Sequence, residues 1–305
     1  MKLVRTLVAL VALVALVSFW NRVDGLALGA DPMEFQPQTD FLQLPEGWSL
    51  GPCSAVAVSR KGEIYLFHRG KHPLICFNPD GKFLRSWGDD LIKTAHGLRI
   101  DRHDHVWVTD VGSHRVYQFD SAGKLLLALG TGKPGTDDDQ FDRPTDIAFG
   151  ANDDVFVSDG YGNSRVLKFT SQGKLIKIWG EKGTGPGQFH LPHAIIVDAK
   201  GRVLVGDREN KRIQVFDQDG NHLETWPGFA PYGVDISPEG IVHVATGIEN
   251  DLVRLDRSGK VDRRWGKKGT AAGEFDLPHM LAFDAAGNLF IAEVGGQRLQ
   301  RFVKK

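Results

Sequence analysis

The chain is poor in sulfur and carries almost no net charge. It has two cysteines and three methionines in 305 residues, and its 37 Lys and Arg residues are balanced by 38 Asp and Glu residues. Two cysteines are too few for a disulfide framework or a cysteine-rich zinc module. The balance of charge excludes a polybasic protein that binds nucleic acid through many phosphate contacts. An apolar content of 41% excludes a disordered chain. We therefore expect a globular protein with no nucleic-acid partner.

Long apolar runs are also rare, and the clearest one lies near the start of the chain. Residues 7–17 are all apolar, with Lys2 and Arg5 before them and the small pair Gly29-Ala30 after them. This order is typical of a secretory signal peptide. The run is shorter than the roughly 20 residues that a membrane span needs. We expect residues 1–30 to be a signal peptide or, alternatively, a short N-terminal anchor, and the protein to be secreted, periplasmic or otherwise extracytoplasmic.

The remainder of the chain is organised as a repeat. Six short apolar segments begin at residues 55, 97, 146, 194, 233 and 280, at intervals of 39 to 49 residues. Each is followed by a turn and further short apolar strands, and several repeats end at Trp-Gly, as at Trp87-Gly88 and Trp179-Gly180. Four short antiparallel strands at this period are typical of a β-propeller blade. A helical solenoid would show a 3.6-residue periodicity, which is absent.

We therefore predict an all-β fold, a six-bladed β-propeller, in one domain of residues 31–305. Residues 180–189 and 207–217 resemble NHL repeats. The last repeat reaches the end of the chain after three strands, so we expect residues 41–44 to supply the fourth. An N-terminal strand that completes the C-terminal blade closes the ring and removes an open edge.

Histidine recurs at one position of alternate repeats. The residue that precedes each innermost strand defines a slot, and the six slots hold Ser54, His96, Thr145, His193, Tyr232 and His279. Only 11 of the 305 residues are histidine, so three matches in one register are improbable by chance. In a six-bladed ring these histidines converge at the mouth of the central channel. Three imidazoles that leave a fourth position open are typical of a catalytic zinc site.

Three more side chains are expected to face that mouth. The second strand of a blade runs antiparallel to the first, so the end of the second strand lies beside the start of the first. Arg69, Tyr161 and Arg208 follow second strands. Two arginines beside a divalent cation favour a substrate with a carboxylate, and a tyrosine there could move a proton. Asp110, Asp159 and Asp207 also recur at the strand ends, where we expect a structural role in turns.

The pattern resembles a narrower family, the peptidyl-α-hydroxyglycine α-amidating lyases, over about residues 41–305. The matching motifs are Phe67-His-Arg-Gly70, Ala95-His-Gly-Leu98, Pro144-Thr-Asp146, Ser158-Asp-Gly-Tyr161 with Asn163-Ser-Arg165, Leu191-Pro-His193 and Asp207-Arg-Glu-Asn210. The resemblance implies a carbon–nitrogen lyase that cleaves a peptidyl-α-hydroxyglycine into a peptide amide and glyoxylate. It implies zinc on His96, His193 and His279. It also implies Tyr161 as the base, Arg69 as the ligand of the substrate carboxylate and Arg208 as a further active-site arginine.

This chain departs from the family's pattern at the site of a second metal and at the cysteines. The family has an aspartate, a calcium ligand, directly after its last zinc histidine, whereas this chain has Met280. The backbone carbonyls of Val56 and Leu98 remain as calcium ligands, although Ca²⁺ prefers carboxylate oxygen. The family's disulfides are absent, and Cys53 and Cys76 are expected to lie too far apart to bond.

Two other functions remain open at this stage. A non-catalytic propeller would bind peptides or proteins across the same face without a metal. A calcium-dependent lactonase-type propeller would need Glu, Asn and Asp at the channel mouth, and the three histidines disfavour it. For the lyase we expect a monomer, a small-molecule or peptide substrate with a carboxylate, and no membrane contact beyond an N-terminal anchor.

Overall fold

The computed structural model describes residues 34–305, which fold into six four-stranded antiparallel sheets. The inner strands of blades one to six are Cys53–Val58, Ala95–Ile100, Pro144–Phe149, Pro192–Val197, Gly233–Ile236 and Pro278–Phe283. The second strands are Ile64–His68, Val106–Asp110, Val155–Asp159, Val203–Asp207, Val242–Ala245 and Leu289–Glu293. The third strands are Leu74–Phe77, Arg115–Phe119, Arg165–Phe169, Arg212–Phe216, Leu252–Leu255 and Arg298–Lys304. These sheets confirm the predicted six-bladed propeller.

The outer strands complete the blades. In blades one to five they are Phe83–Trp87, Leu125–Leu129, Leu175–Trp179, His222–Pro227 and Val261–Trp265. A small parallel pair, Glu181–Lys182 with Gln188–Phe189, and the 3₁₀ turn Gly247–Glu249 lie between blade strands. Within residues 34–305 no helix is long and apolar enough to cross a membrane. The segment 1–30, which we expect to be a signal peptide, lies outside the described residues.

An N-terminal strand closes the ring, but its position differs from the prediction. The closing strand is Phe35–Gln38, which pairs antiparallel with Arg298–Lys304 of blade six. Residues 41–44 were the wrong choice, because Asp40 turns the chain with φ 55° and directs it toward blade one. Phe41 is buried between blades one and six, and its ring centroid lies 6.2 Å from that of Phe290 in blade six.

The core is divided among the spaces between neighbouring blades. Six clusters of buried apolar side chains fill the six spaces. Trp87, at the end of an outer strand, joins two blades by edge contacts with Tyr65 and Phe119, each at 6.1 Å. Both cysteines are buried and free, as expected. Burial is the main cause that raises the pKa of the Cys76 thiol to about 12. The packing between blades leaves the inner strands to line the central channel.

Candidate metal centre

The three slot histidines meet at one end of the channel. Each is the second residue of its inner strand, where the pairing with the second strand shifts register in a β-bulge. A bulge re-aims the side chain at that position. His96 and His193 are fully buried and His279 is 3% exposed. One ring nitrogen from each lies within 4.8 Å of the others.

Backbone carbonyls from the intervening blades hold these imidazoles. The Nδ1 atoms of His96, His193 and His279 lie 2.6 Å from the carbonyl oxygens of the next blade, which belong to Thr145, Tyr232 and Ser54 respectively. A carbonyl can only accept, so each Nδ1 carries the proton and each Nε2 presents its lone pair. The sequence places Ser54, Thr145 and Tyr232 in the slots that alternate with the histidines, but their role as carbonyl acceptors was not predicted. The register that they share with the histidines was the signal that could have revealed this role.

Burial keeps the three histidines in the neutral form that binds a metal. It is the main cause of the lowered pKa of His96 and His193, with further lowering by neighbouring histidines. Burial and the nearby Arg69 cation lower the pKa of His279 to about 3. Three neutral Nε2 donors that converge within a few ångströms fit a tetrahedral zinc ion with one open position.

Glycines allow the close approach of the strands around this ring. A Cβ atom on Gly97 would lie 2.5 Å from the Thr145 carbonyl oxygen that accepts from His96. A Cβ atom on Gly233 would lie 2.4 Å from the carbonyl oxygen of His279. Both distances are far below any real contact, so only glycine fits at these two positions.

Tyr161 places its hydroxyl against the histidines. Its oxygen lies 3.1 Å from Nε2 of both His96 and His193. The tyrosine follows the second strand of blade three, whose last residue, Asp159, is fully buried. Asp159 accepts hydrogen bonds from the backbone N–H of Asp142 and the side chain of Arg165. The buried and hydrogen-bonded Asp159 therefore holds the start of the loop that carries Tyr161.

The recurrent acids at the ends of the second strands are structural, as expected. Asp110, Asp159 and Asp207 are fully buried and accept hydrogen bonds from the loops before their inner strands. Glu293 takes the same place in blade six and accepts from the Asp276 backbone N–H at 2.7 Å. Glu293 could not be predicted from the recurrence of aspartate, because blade six has the longer glutamate at this position.

Arg69 and Arg208 both lie near the histidines, but more neighbouring groups contact Arg208 than Arg69. Arg69 is exposed, and its Nε donates to the carbonyl of Ala95, the residue before His96. Arg208 is 13% exposed and pairs with Glu209 at 2.8 Å. The Arg208 guanidinium also lies 4.6 Å from the ring centre of Tyr232 and 5.7 Å from that of Tyr161. Arg208 is therefore held by its neighbours at several points, whereas the hydrogen bond of Arg69 involves only its Nε.

His68 holds the loop that carries Arg69. Its Nδ1 accepts the backbone N–H groups of Gly51 at 3.0 Å and Gly70 at 3.2 Å. Its Nε2 lies 3.0 Å from the carbonyl oxygen of His72. The buried imidazole thus stabilises the chain on both sides of the arginine, and His68 is a structural histidine.

The chain is similar in sequence to known proteins. A family model described as a 6-bladed beta-propeller matches residues 134–227. NHL repeat-containing protein 3 of Mus musculus is 34% identical over 89% of this chain and 86% of its own length. A probable peptidyl-alpha-hydroxyglycine alpha-amidating lyase of Caenorhabditis elegans is 30% identical over 82% of each chain. The chain belongs to this family of NHL-repeat propellers.

Another relative and two solved structures add to the comparison. The chain is also similar to peptidylglycine alpha-amidating monooxygenase of Rattus norvegicus, with 36% identity over 63% of this chain and 24% of the length of that protein. A streptogramin B lyase structure gives a TM-score of 0.67 at 14% identity, covering 89% of this chain and 98% of that one. Virginiamycin B lyase of Staphylococcus aureus gives 0.63 at 20% identity, covering 89% and 88%. At these identities the two structures show the fold alone.

The second metal that the resemblance implies does not fit the residues of this chain. Met280 is 1% exposed and packs with Leu98 in the apolar cluster between blades one and two. Farther along the inner strand from His96, the guanidinium of Arg99 binds the carboxylate of Asp146. An apolar thioether and a guanidinium cation are both unsuited to a calcium site, which needs oxygen ligands.

Proposed function

We propose that the protein is a zinc-dependent lyase that cleaves a peptidyl-α-hydroxyglycine, or a similar carbinolamide, into an amide and glyoxylate. The single observation that carries this proposal is the position of the Tyr161 hydroxyl, which lies 3.1 Å from the Nε2 atoms of His96 and His193. A group able to move a proton thereby lies beside a metal position with one open ligand place. The family membership supports the same reaction class.

The three slot histidines fit zinc by the type, number and protonation of their donor atoms. Nε2 of His96, His193 and His279 would hold the ion, because their Nδ1 atoms are engaged with carbonyls. A bound zinc ion would act as a Lewis acid toward the hydroxyl of the substrate. The backbone carbonyls maintain the orientation of the rings and raise their basicity as ligands.

Tyr161 has the position for the proton transfer. The reaction removes the proton from the substrate hydroxyl, forms the carbonyl of glyoxylate and breaks the bond between carbon and the amide nitrogen. That nitrogen must gain one proton as it leaves. Tyr161 as the base, in its phenolate form, would accept the hydroxyl proton, and the phenol so formed would return it to the nitrogen, so that protons and electrons balance.

The arginines bind the carboxylate that becomes part of glyoxylate. Arg69 is exposed and its Nε contact with Ala95 fixes the guanidinium beside the metal position. A guanidinium grips a carboxylate through two parallel hydrogen bonds. Arg208 adds positive charge over the ring of Tyr161, where Glu209 and the ring of Tyr232 hold it in place.

Removing Arg69 is expected to weaken substrate binding. A charge-assisted hydrogen bond contributes about 1.5–3 kcal/mol, so Arg69→Ala should lower kcat/KM by roughly 10- to 150-fold. Steady-state kinetics measure the effect, with most of it expected in KM. Arg60→Ala is the matched control, since Arg60 is an exposed arginine of the same blade in the turn at the opposite end of the inner strand. An unchanged KM in Arg69→Ala would contradict the assigned role.

The proposed reaction is tested by the release of glyoxylate from α-hydroxyhippurate. Zinc-loaded protein should produce glyoxylate and benzamide in equal amounts, and the rate should be proportional to the zinc content. No release above the uncatalysed rate would contradict the lyase function while leaving the fold unaffected. The leader pattern of residues 1–30 supports placing this activity outside the cytoplasm.

The relatives favour one second candidate, a propeller that binds a peptide or protein without cleaving it. The name of the Mus musculus relative, NHL repeat-containing protein 3, states no reaction. A purely binding propeller would use the same face and would keep its ligand when His193→Ala is made. The lyase, in contrast, would lose its metal and its turnover with the same substitution.

A further inference from the structure

A buried ionic cluster lies in the central channel beyond the histidines. Arg99 of blade two binds Asp146 of blade three through two contacts, Nε to Oδ1 at 3.1 Å and Nη2 to Oδ2 at 2.7 Å. Its Nη2 also donates to the carbonyl of Val234 in blade five at 2.9 Å. Nη1 lies 3.7 Å from the carboxylate of Asp235, also in blade five. Arg99, on blade two, therefore contacts two other blades of the ring, three and five.

These partners place the guanidinium on the axis of the propeller. Blades two and five face each other in a six-membered ring, so a side chain that reaches from one to the other must cross the channel. Arg99 stands three residues after His96, about 10 Å along the strand at roughly 3.3 Å per residue. The Asp146 side chain is fully buried, and those of Arg99 and Asp235 are 13% and 18% exposed.

The carboxylates extend the cluster to two further blades. Asp146 accepts the backbone N–H of Ile195 in blade four at 3.1 Å. Asp235 accepts the backbone N–H of Phe283 in blade six at 3.0 Å. One cation with its two carboxylates thus links the inner strands of blades two to six. A metal ion held at the axis by several blades would provide the same kind of link.

Arg99 occupies the oxygen atoms that a metal ion in the channel would use. Met280 directly follows a metal histidine, and the corresponding residue in blade three is Asp146, which directly follows Thr145. Asp146 belongs to the Pro144-Thr-Asp146 motif that the chain shares with the amidating lyases, so the channel keeps the carboxylate of blade three and lacks the one of blade six. Two carboxylates and a carbonyl oxygen are donors that suit Ca²⁺. In this chain all three face the guanidinium of Arg99.

We propose that Arg99 is a built-in replacement for an axial calcium ion, and that the protein binds no calcium in its channel. The proposal does not depend on the lyase reaction, because it concerns the stability of the ring. It follows from the disagreement between the family's second metal site and the residues of this chain. The bidentate pairing, the burial of Asp146 and the reach across the axis support it.

The test compares calcium binding and thermal stability in the zinc-loaded full chain and in variants. Wild-type protein equilibrated with millimolar calcium should contain well under one calcium per chain by elemental analysis, and its Tm should not change. Arg99→Met leaves two buried carboxylates without their cation, so its Tm should fall by roughly 10 °C and should rise again when calcium is added. Arg99→Lys keeps a cation and should show no response to calcium.

Arg85→Met is the matched control. Arg85 also pairs with a carboxylate through two contacts, to Glu63 at 2.9 and 3.2 Å, but it lies on the outer strand of blade one. We expect a smaller fall in Tm and no calcium response. A stoichiometric calcium ion that raises the Tm of the wild type would overturn the proposal. An Arg99→Met variant with the Tm of the wild type, or with no calcium response, would also overturn it.

Discussion

Alanine at His96, His193 or His279 is expected to remove the zinc ion and to lower glyoxylate release by about a thousandfold or more. Each substitution deletes one of three ligands and leaves two, which is too few for a tetrahedral site. Lewis-acid stabilisation of the transition state supplies several kcal/mol, and each 1.36 kcal/mol corresponds to a factor of ten in rate. Elemental analysis and the glyoxylate assay measure the two losses on the same preparation.

His103→Ala is the control for this prediction. His103 is a histidine of blade two whose side chain is 54% exposed and pairs with Asp153 rather than with the ring of slot histidines. The control should keep both the zinc and the activity of the wild type. A slot variant that retains full activity without zinc would show that the histidines are not the metal ligands of the reaction.

Tyr161→Phe is expected to separate metal binding from turnover. The substitution removes only the oxygen that lies 3.1 Å from two Nε2 atoms and leaves the ring in place. Because the three imidazoles remain, the variant should keep about one zinc per chain. General acid–base catalysis contributes roughly 10²- to 10⁴-fold, so kcat should fall by about that factor.

The matched control for Tyr161 is Tyr232→Phe. Tyr232 lies in the same site and its ring centre is 4.6 Å from the Arg208 guanidinium, but the atom that supports His193 is its backbone carbonyl. Phenylalanine keeps both the ring and the carbonyl, so kcat should change little. Equal activity of Tyr161→Phe and wild type would show that another group moves the proton.

The fold was predictable from the sequence because a propeller repeats its pattern. Each blade contributes the same apolar strands and turns, so six weak signals reinforce one another. The ring-closing strand was harder to locate. Phe35–Gln38 contains a proline and alternates between half-buried and exposed residues, as an edge strand can, whereas the more apolar residues 41–44 pack between blades.

The parts of the candidate site that follow the repeat register were predictable from the sequence. The contacts between residues that are far apart in the chain were not. Three slot histidines could be aligned in the sequence, and the structure brings them within 4.8 Å of one another. The carbonyls of Ser54, Thr145 and Tyr232 bear no sequence signal of their own, because every residue has one. Arg99 and Asp235 lie 136 positions apart in the chain and meet only through closure of the ring.

The most direct test of the central claim joins metal analysis and the glyoxylate assay in one titration. Metal-free protein receives increasing zinc, and α-hydroxyhippurate is supplied at each step. The account predicts that glyoxylate release rises linearly and reaches a plateau at about one zinc per chain. Full occupancy by zinc with no glyoxylate, or full activity before any zinc is added, would contradict it.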